Sequence, residues 1–147
     1  MLKVLSFFMM LSSGFVCCMD VKRVTITTLP VIIRGSGVYT LSADIVDSQD
    51  GKKHKPFASA IRIFNNANVV INLNGHTLDA GGRTFGIDAN GANRLMIYNG
   101  AIEGAQRALS SLNNDVTLCM VHTDQCTYPI ETTPTRTKIS DINGAVQ

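Results

Sequence analysis

Ala67-Asn68-Val69-Val70-Ile71-Asn72-Leu73-Asn74-Gly75 returns 25 residues later as Ala92-Asn93-Arg94-Leu95-Met96-Ile97-Tyr98-Asn99-Gly100. Both stretches open on Ala-Asn, alternate apolar and polar residues, and close on Asn-Gly. A third, weaker copy is Asn113-Asn114-Asp115-Val116-Thr117-Leu118. Before each copy stands a short apolar pulse: Ala60-Ile61-Arg62-Ile63, Gly86-Ile87-Asp88 and Ala108-Leu109-Ser110. After the first two Asn-Gly pairs comes another, at Thr77-Leu78 and Ala101-Ile102. Each unit therefore holds three very short strands separated by turns, and such strands cannot bury a core within one unit. Each must pair in parallel with its counterpart in the next unit, about 4.8 Å away. Alternation then places Val69, Ile71 and Leu73 inside, stacked under Leu95 and Ile97 and then Val116 and Leu118. Asn tolerates left-handed backbone and Gly does so more easily, so Asn74-Gly75 and Asn99-Gly100 suit the corners where such a coil bends, with their amides stacked. Two β-hairpins closed by Asn-Gly turns are the alternative. The apolar alternation after each pair is too short to match a hairpin partner.

Composition agrees with strands and turns. The chain of 147 residues is 45% apolar, has no Trp, and carries a net charge of only +2. That length fits one domain, and that charge gives no ground for expecting nucleic acid or a membrane surface. The expected fold is all-β: a short parallel β-helix of about three coils over residues 60–123. Strand residues 20–59, including Val24-Thr25-Ile26-Thr27 and Val31-Ile32-Ile33, are expected to cap its open end. Within them, Lys52-Lys53-His54-Lys55 reads as a solvated basic loop. Residues 124–147, with Pro129 and Pro134, read as a tail without a further coil. Met120 falls where a third corner Asn would stand, so the ladder is expected to break there.

The first 19 residues differ in kind. Lys3 precedes a mostly apolar stretch from Val4 to Val16, and Cys17, Cys18, Met19 and Asp20 follow. A basic start, short apolar centre and small-residue exit match a secretory leader, and the stretch is too short for a membrane span. The expected location is secreted or at the cell surface. A lipid anchor at Cys17 fits its neighbours poorly. Cys119 and Cys126 remain in the body, where they can pair as a disulfide in an oxidising compartment or stand as two separate thiols. Without a His pair at ligand spacing they are no zinc site.

Asn68-Val69-Val70-Ile71-Asn72-Leu73-Asn74-Gly75-His76-Thr77-Leu78 resembles the opening coil of right-handed parallel β-helix proteins of the pectate-lyase-like superfamily. The stretch from Ile26 to Ile45 is similar to the strands leading into such coils. The likeness covers about residues 24–121. It implies the fold rather than one activity, since the superfamily includes lyases, hydrolases, epimerases, phage tailspikes and non-enzymatic surface proteins. Its lyases hold calcium on carboxylates and use an Arg or Lys base; its hydrolases use clustered Asp residues. Here the acids of the body are singly placed. Asp79, Arg83 and Asp88 around Gly81-Gly82 form the best candidate cluster for a sugar or calcium, beside the plainer reading of solvated charges on a Gly-rich connection. His76 and His122, on the order of 10 Å apart in a coil, are too far apart to share a metal. Tyr98, Arg94, Asn72 and Thr117 fall on one sheet, where an aromatic ring beside amides and a guanidinium can dock a sugar. Three function classes follow: a non-catalytic glycan-binding or surface protein, a polysaccharide lyase or hydrolase, and an adhesion module that self-associates through its open coil ends.

Overall fold

The computed structural model describes residues 21–47, 58–112, 115–133 and 136–140. The leader-like segment and the Lys52–Lys55 loop lie outside the described residues. Within them every regular element is a strand. These are β1 (Arg23–Ile26), β2 (Val31–Ile33), β3 (Gly37–Leu41), β4 (Ile45–Val46), β5 (Ser59–Ile63), β6 (Ala67–Asn72) and β7 (Thr77–Asp79). They are followed by β8 (Phe85–Asp88), β9 (Ala92–Glu103), β10 (Arg107–Leu112), β11 (Asp115–Asp124), β12 (Tyr128–Thr133) and β13 (Arg136–Ser140).

All described pairings are parallel, and neighbours in space are not neighbours in sequence. One sheet runs β1-β3-β6-β9-β11-β13 and curls so that β4, β7 and the second halves of β9 and β11 continue it past a corner. The other runs β12-β10-β8-β5-β2. Successive passes of the chain lay strands onto the same ladders in the same order. This arrangement is compatible with a parallel β-helix and excludes consecutive hairpins, in which β6 would pair antiparallel with β7.

The register follows the hydrophobic alternation. Val69 stands opposite Leu95 and Ile71 opposite Ile97; Leu95 and Ile97 stand opposite Val116 and Leu118. All six are buried. Slipping one residue would turn the whole set outward, so the aliphatic columns themselves specify the register. A second column of Ile61, Ile87 and Leu109 lines the other sheet, and a third of Ile45, Leu78 and Ile102 lies past the corner. These columns meet in one core.

The ladders extend beyond the expected 60–123 in both directions. Strands β2, β3 and β4 pair in register with β5, β6 and β7. Residues 31–46 are thus a pass of the same kind rather than a separate cap, with β1 added beyond it. At the other end β12 pairs with β10 and β13 with β11, so the expected plain tail supplies further strands. Its weak alternation hid them: pairing with a preformed parallel edge satisfies backbone groups whatever the side chains. The expected break at Met120 also does not occur. Met120 stands opposite Asn99 in the ladder and takes the same left-handed backbone, φ 52° against 60°, so β11 continues around the corner.

Candidate functional site

On the outer face of the first sheet, side chains between the buried positions of β6, β9 and β11 form columns that run across the strands. Asn68, Arg94 and Asp115 make one column, and Val38, Val70, Met96 and Thr117 the next. Thr40, Asn72, Tyr98 and Cys119 make the third. Between the first two columns lies a groove of about 480 Å³, walled by Asn68, Arg94 and Asp115 and floored by Val70, Met96 and Thr117. A second hollow of about 300 Å³ shares Asn68 and Val70 with it and continues over Lys22, Ser36 and Val38. Together they make a trough crossing β3, β6, β9 and β11, on the order of 14 Å at strand spacing, that ends over Lys22 just before β1.

Local chemistry holds the wall in place. Asn93 is the extra residue of a bulge between β6 and β9, and its amide donates to the Asn68 carboxamide oxygen at 2.9 Å. The Asn68 main-chain N–H donates to the Ser36 hydroxyl at 3.0 Å. Arg94 lies 3.8 Å from Asp115, the first exposed and the second about half exposed, a pair worth under about 1 kcal/mol. Its guanidinium is therefore free to turn toward a ligand at little cost.

Of the sequence candidates, Arg94 stands in the groove wall and Tyr98 in the adjacent column, about 7 Å along β9 from Met96. The loop candidates disperse. Asp79 lies on β7 in the first sheet and Asp88 on β8 in the second. The Asp79 carboxylate accepts from the Gly81 N–H at 2.8 Å. Asp88 pairs with Arg62 at 3.2 Å and accepts from Asn90. Arg83 is buried and makes its ion pair with Asp47, which is equally buried. Among the described residues no group of three or more His, Cys, Asp or Glu is placed to hold a metal.

The two Asn-Gly pairs are corners of different construction. Asn74 and Gly75 both have positive φ, in a turn closed by the His76 N–H donating to Leu73 O at 2.9 Å. Asn99 alone is left-handed; Gly100 is extended, and any side chain there would strike His76 O and Leu73. The amide-to-amide contact expected at Asn74 and Asn99 is found instead near the start of β6, three columns away, between Asn68 and Asn93.

Cys119 and Cys126 are free thiols. Cys119 alternates with buried Leu118 on the outer face, whereas Cys126 packs against the core and donates to Ile102 O at 3.7 Å. Burial pushes the Cys126 thiol above its ordinary range, and nearby Glu103, Asp124 and Asp79 add to the rise. Those three acids form one column past the corner, which their scattered places in the sequence conceal. His76 lies 3.3 Å from Asp44. His122 stands opposite Ala101, which itself pairs with Thr77, so the two histidines occupy neighbouring columns.

Sequence reading missed the Asp47–Arg83 pair and the groove. Asp47 and Arg83 are 36 residues apart, and no local pattern joins them. The groove had a signal, in that Val70, Met96 and Thr117 occupy outward positions of three aligned copies. No family model matches the chain, and neither a curated protein nor a solved structure does.

Proposed function

We propose that this chain is a right-handed parallel β-helix of the pectate-lyase-like kind, exported by its leader-like first 19 residues, that binds a glycan chain without cleaving it. Right-handedness follows from the near-universal hand of parallel crossover connections. The observation that carries the binding role is the open trough on the first sheet. It offers an apolar floor, amide and guanidinium groups on one wall, and Tyr98 beside it. Sugars present the same mixture of apolar faces and hydroxyl edges. Within each column the residues repeat every 4.8 Å or so across the sheet, which suits an extended polymer better than a small molecule.

The test is a polysaccharide microarray followed by calorimetry on the best binder. Tyr98→Ala and Arg94→Ala should each weaken binding about tenfold, the equivalent of about 1.4 kcal/mol, with unchanged melting temperatures. A folded protein that retains no polysaccharide, or binds one equally well in both variants, would overturn the reading.

A further inference from the structure

Four Asn-Gly pairs occur in the chain, at Asn74, Asn90, Asn99 and Asn143, the last outside the described residues. The other three share their local chemistry but not their surroundings. The Asn74 amide donates to Leu41 O at 3.4 Å. The Asn90 carboxamide is held at both ends: its amide donates to the Ser110 hydroxyl at 3.3 Å, and its oxygen accepts from the Leu112 N–H at 2.9 Å. Asn99 is exposed, and among the described residues its carboxamide has no hydrogen-bond partner. Its main chain is nevertheless anchored, since its carbonyl accepts from the Gly75 N–H at 2.7 Å.

We propose that Asn99-Gly100 is a site of spontaneous covalent modification by succinimide formation. The Gly100 main-chain nitrogen, losing its proton to solvent, bonds to the Asn99 side-chain carbonyl carbon, and the carboxamide nitrogen leaves as ammonia. Water then opens the five-membered imide at either carbonyl, giving aspartate or isoaspartate. A carboxamide already committed to hydrogen bonds must break them to reach the attack geometry. Asn74 and Asn90 carry that cost and Asn99 does not. Glycine at the next position leaves the attacking nitrogen without a side chain to shield it.

The location gives the reaction a structural consequence. Asn99 is the bend inside β9, where that strand passes from pairing with β6 to pairing with β7 while bonding β11 throughout. Isoaspartate routes the main chain through the side-chain carbon and lengthens it there, so the ladder on both sides loses register. The same corner in the next pass is Met120, which cannot undergo this chemistry.

The experiment ages the full chain in mildly alkaline buffer and maps tryptic peptides by mass spectrometry with isoaspartate detection. Cleavage after Arg62, Arg83, Arg94 and Arg107 puts Asn74, Asn90 and Asn99 on three separate peptides. In the folded chain Asn99 should convert roughly fivefold or more faster than either of the others, the factor equivalent to one hydrogen bond of about 1 kcal/mol. In urea the three rates should converge. Ser110→Ala, which removes one partner of Asn90, should speed Asn90 and leave Asn99 unchanged. Equal rates in the folded chain would overturn the proposal. So would the same ranking in urea, because local sequence rather than the fold would then set it.

Discussion

Thr123→Val should stabilise this protein. Thr123 lies on β11 opposite Ile102, extending the buried column of Ile45, Leu78 and Ile102 by one rung. It is 9% exposed, and its hydroxyl is buried without a hydrogen-bond partner among the described residues. An unmet buried hydroxyl costs about 1–3 kcal/mol. Valine has nearly the same shape, so it removes that cost without overpacking, and its extra methyl adds up to about 0.8 kcal/mol of burial. Allowing for a denatured state that already shields part of this surface, the expected gain is about 1–2 kcal/mol. Urea unfolding should show a higher midpoint at unchanged slope. The melting temperature should rise by roughly 3–8 °C. Thr123→Ser, which keeps the hydroxyl and deletes the methyl, should destabilise by about 1 kcal/mol. If valine is neutral or destabilising while serine costs little, the hydroxyl has a partner such as an ordered water, and the reasoning fails.

Three further outcomes are expected. Met120→Asn should stabilise by about 0.5–1 kcal/mol, read by urea unfolding, because Met120 is half exposed and held at a left-handed φ that asparagine adopts more easily. Arg83→Met should destabilise by about 3–5 kcal/mol in the same assay, since it removes the guanidinium that pairs with the buried Asp47 carboxylate. The Asp44 carboxyl is held below the usual carboxylate range, first by the Thr77 N–H donating to it and further by His76. Its folded value is the lower one, so its contribution is present above the unfolded value of about 4 and is lost as pH falls through the folded value. Stability measured across that acid window should fall less steeply in Asp44→Asn than in the parent; an unchanged slope would remove Asp44 as a contributor.

The central passes were legible because their information is periodic. Val69, Ile71, Leu95, Ile97, Val116 and Leu118 announce by alternation which face is buried, and the 25-residue offset announces which residues stack. The outer passes were not legible in the same way. Nothing in residues 31–46 or 128–140 repeats the Ala-Asn…Asn-Gly frame, yet both pair in register with their neighbours. An existing strand edge directs the next strand through main-chain hydrogen bonds, which leave little trace in residue identity. Met120 teaches the same point: a ladder bonded on either side of the corner holds a methionine at a φ it would not choose alone.

By itself the sequence determined the strand content, the inward face of the central passes, and the placing of Arg94 and Tyr98 together on the outer face of one sheet. Only the tertiary structure decided what those outer residues make. Lateral neighbours in a parallel ladder come from residues about one pass apart, and a shift of one position changes every partner. That register brought Arg94 to Asp115 and Val70 to Met96 to form the groove, buried Arg83 against Asp47 instead of leaving it at a surface loop, and made two identical Asn-Gly pairs into different corners.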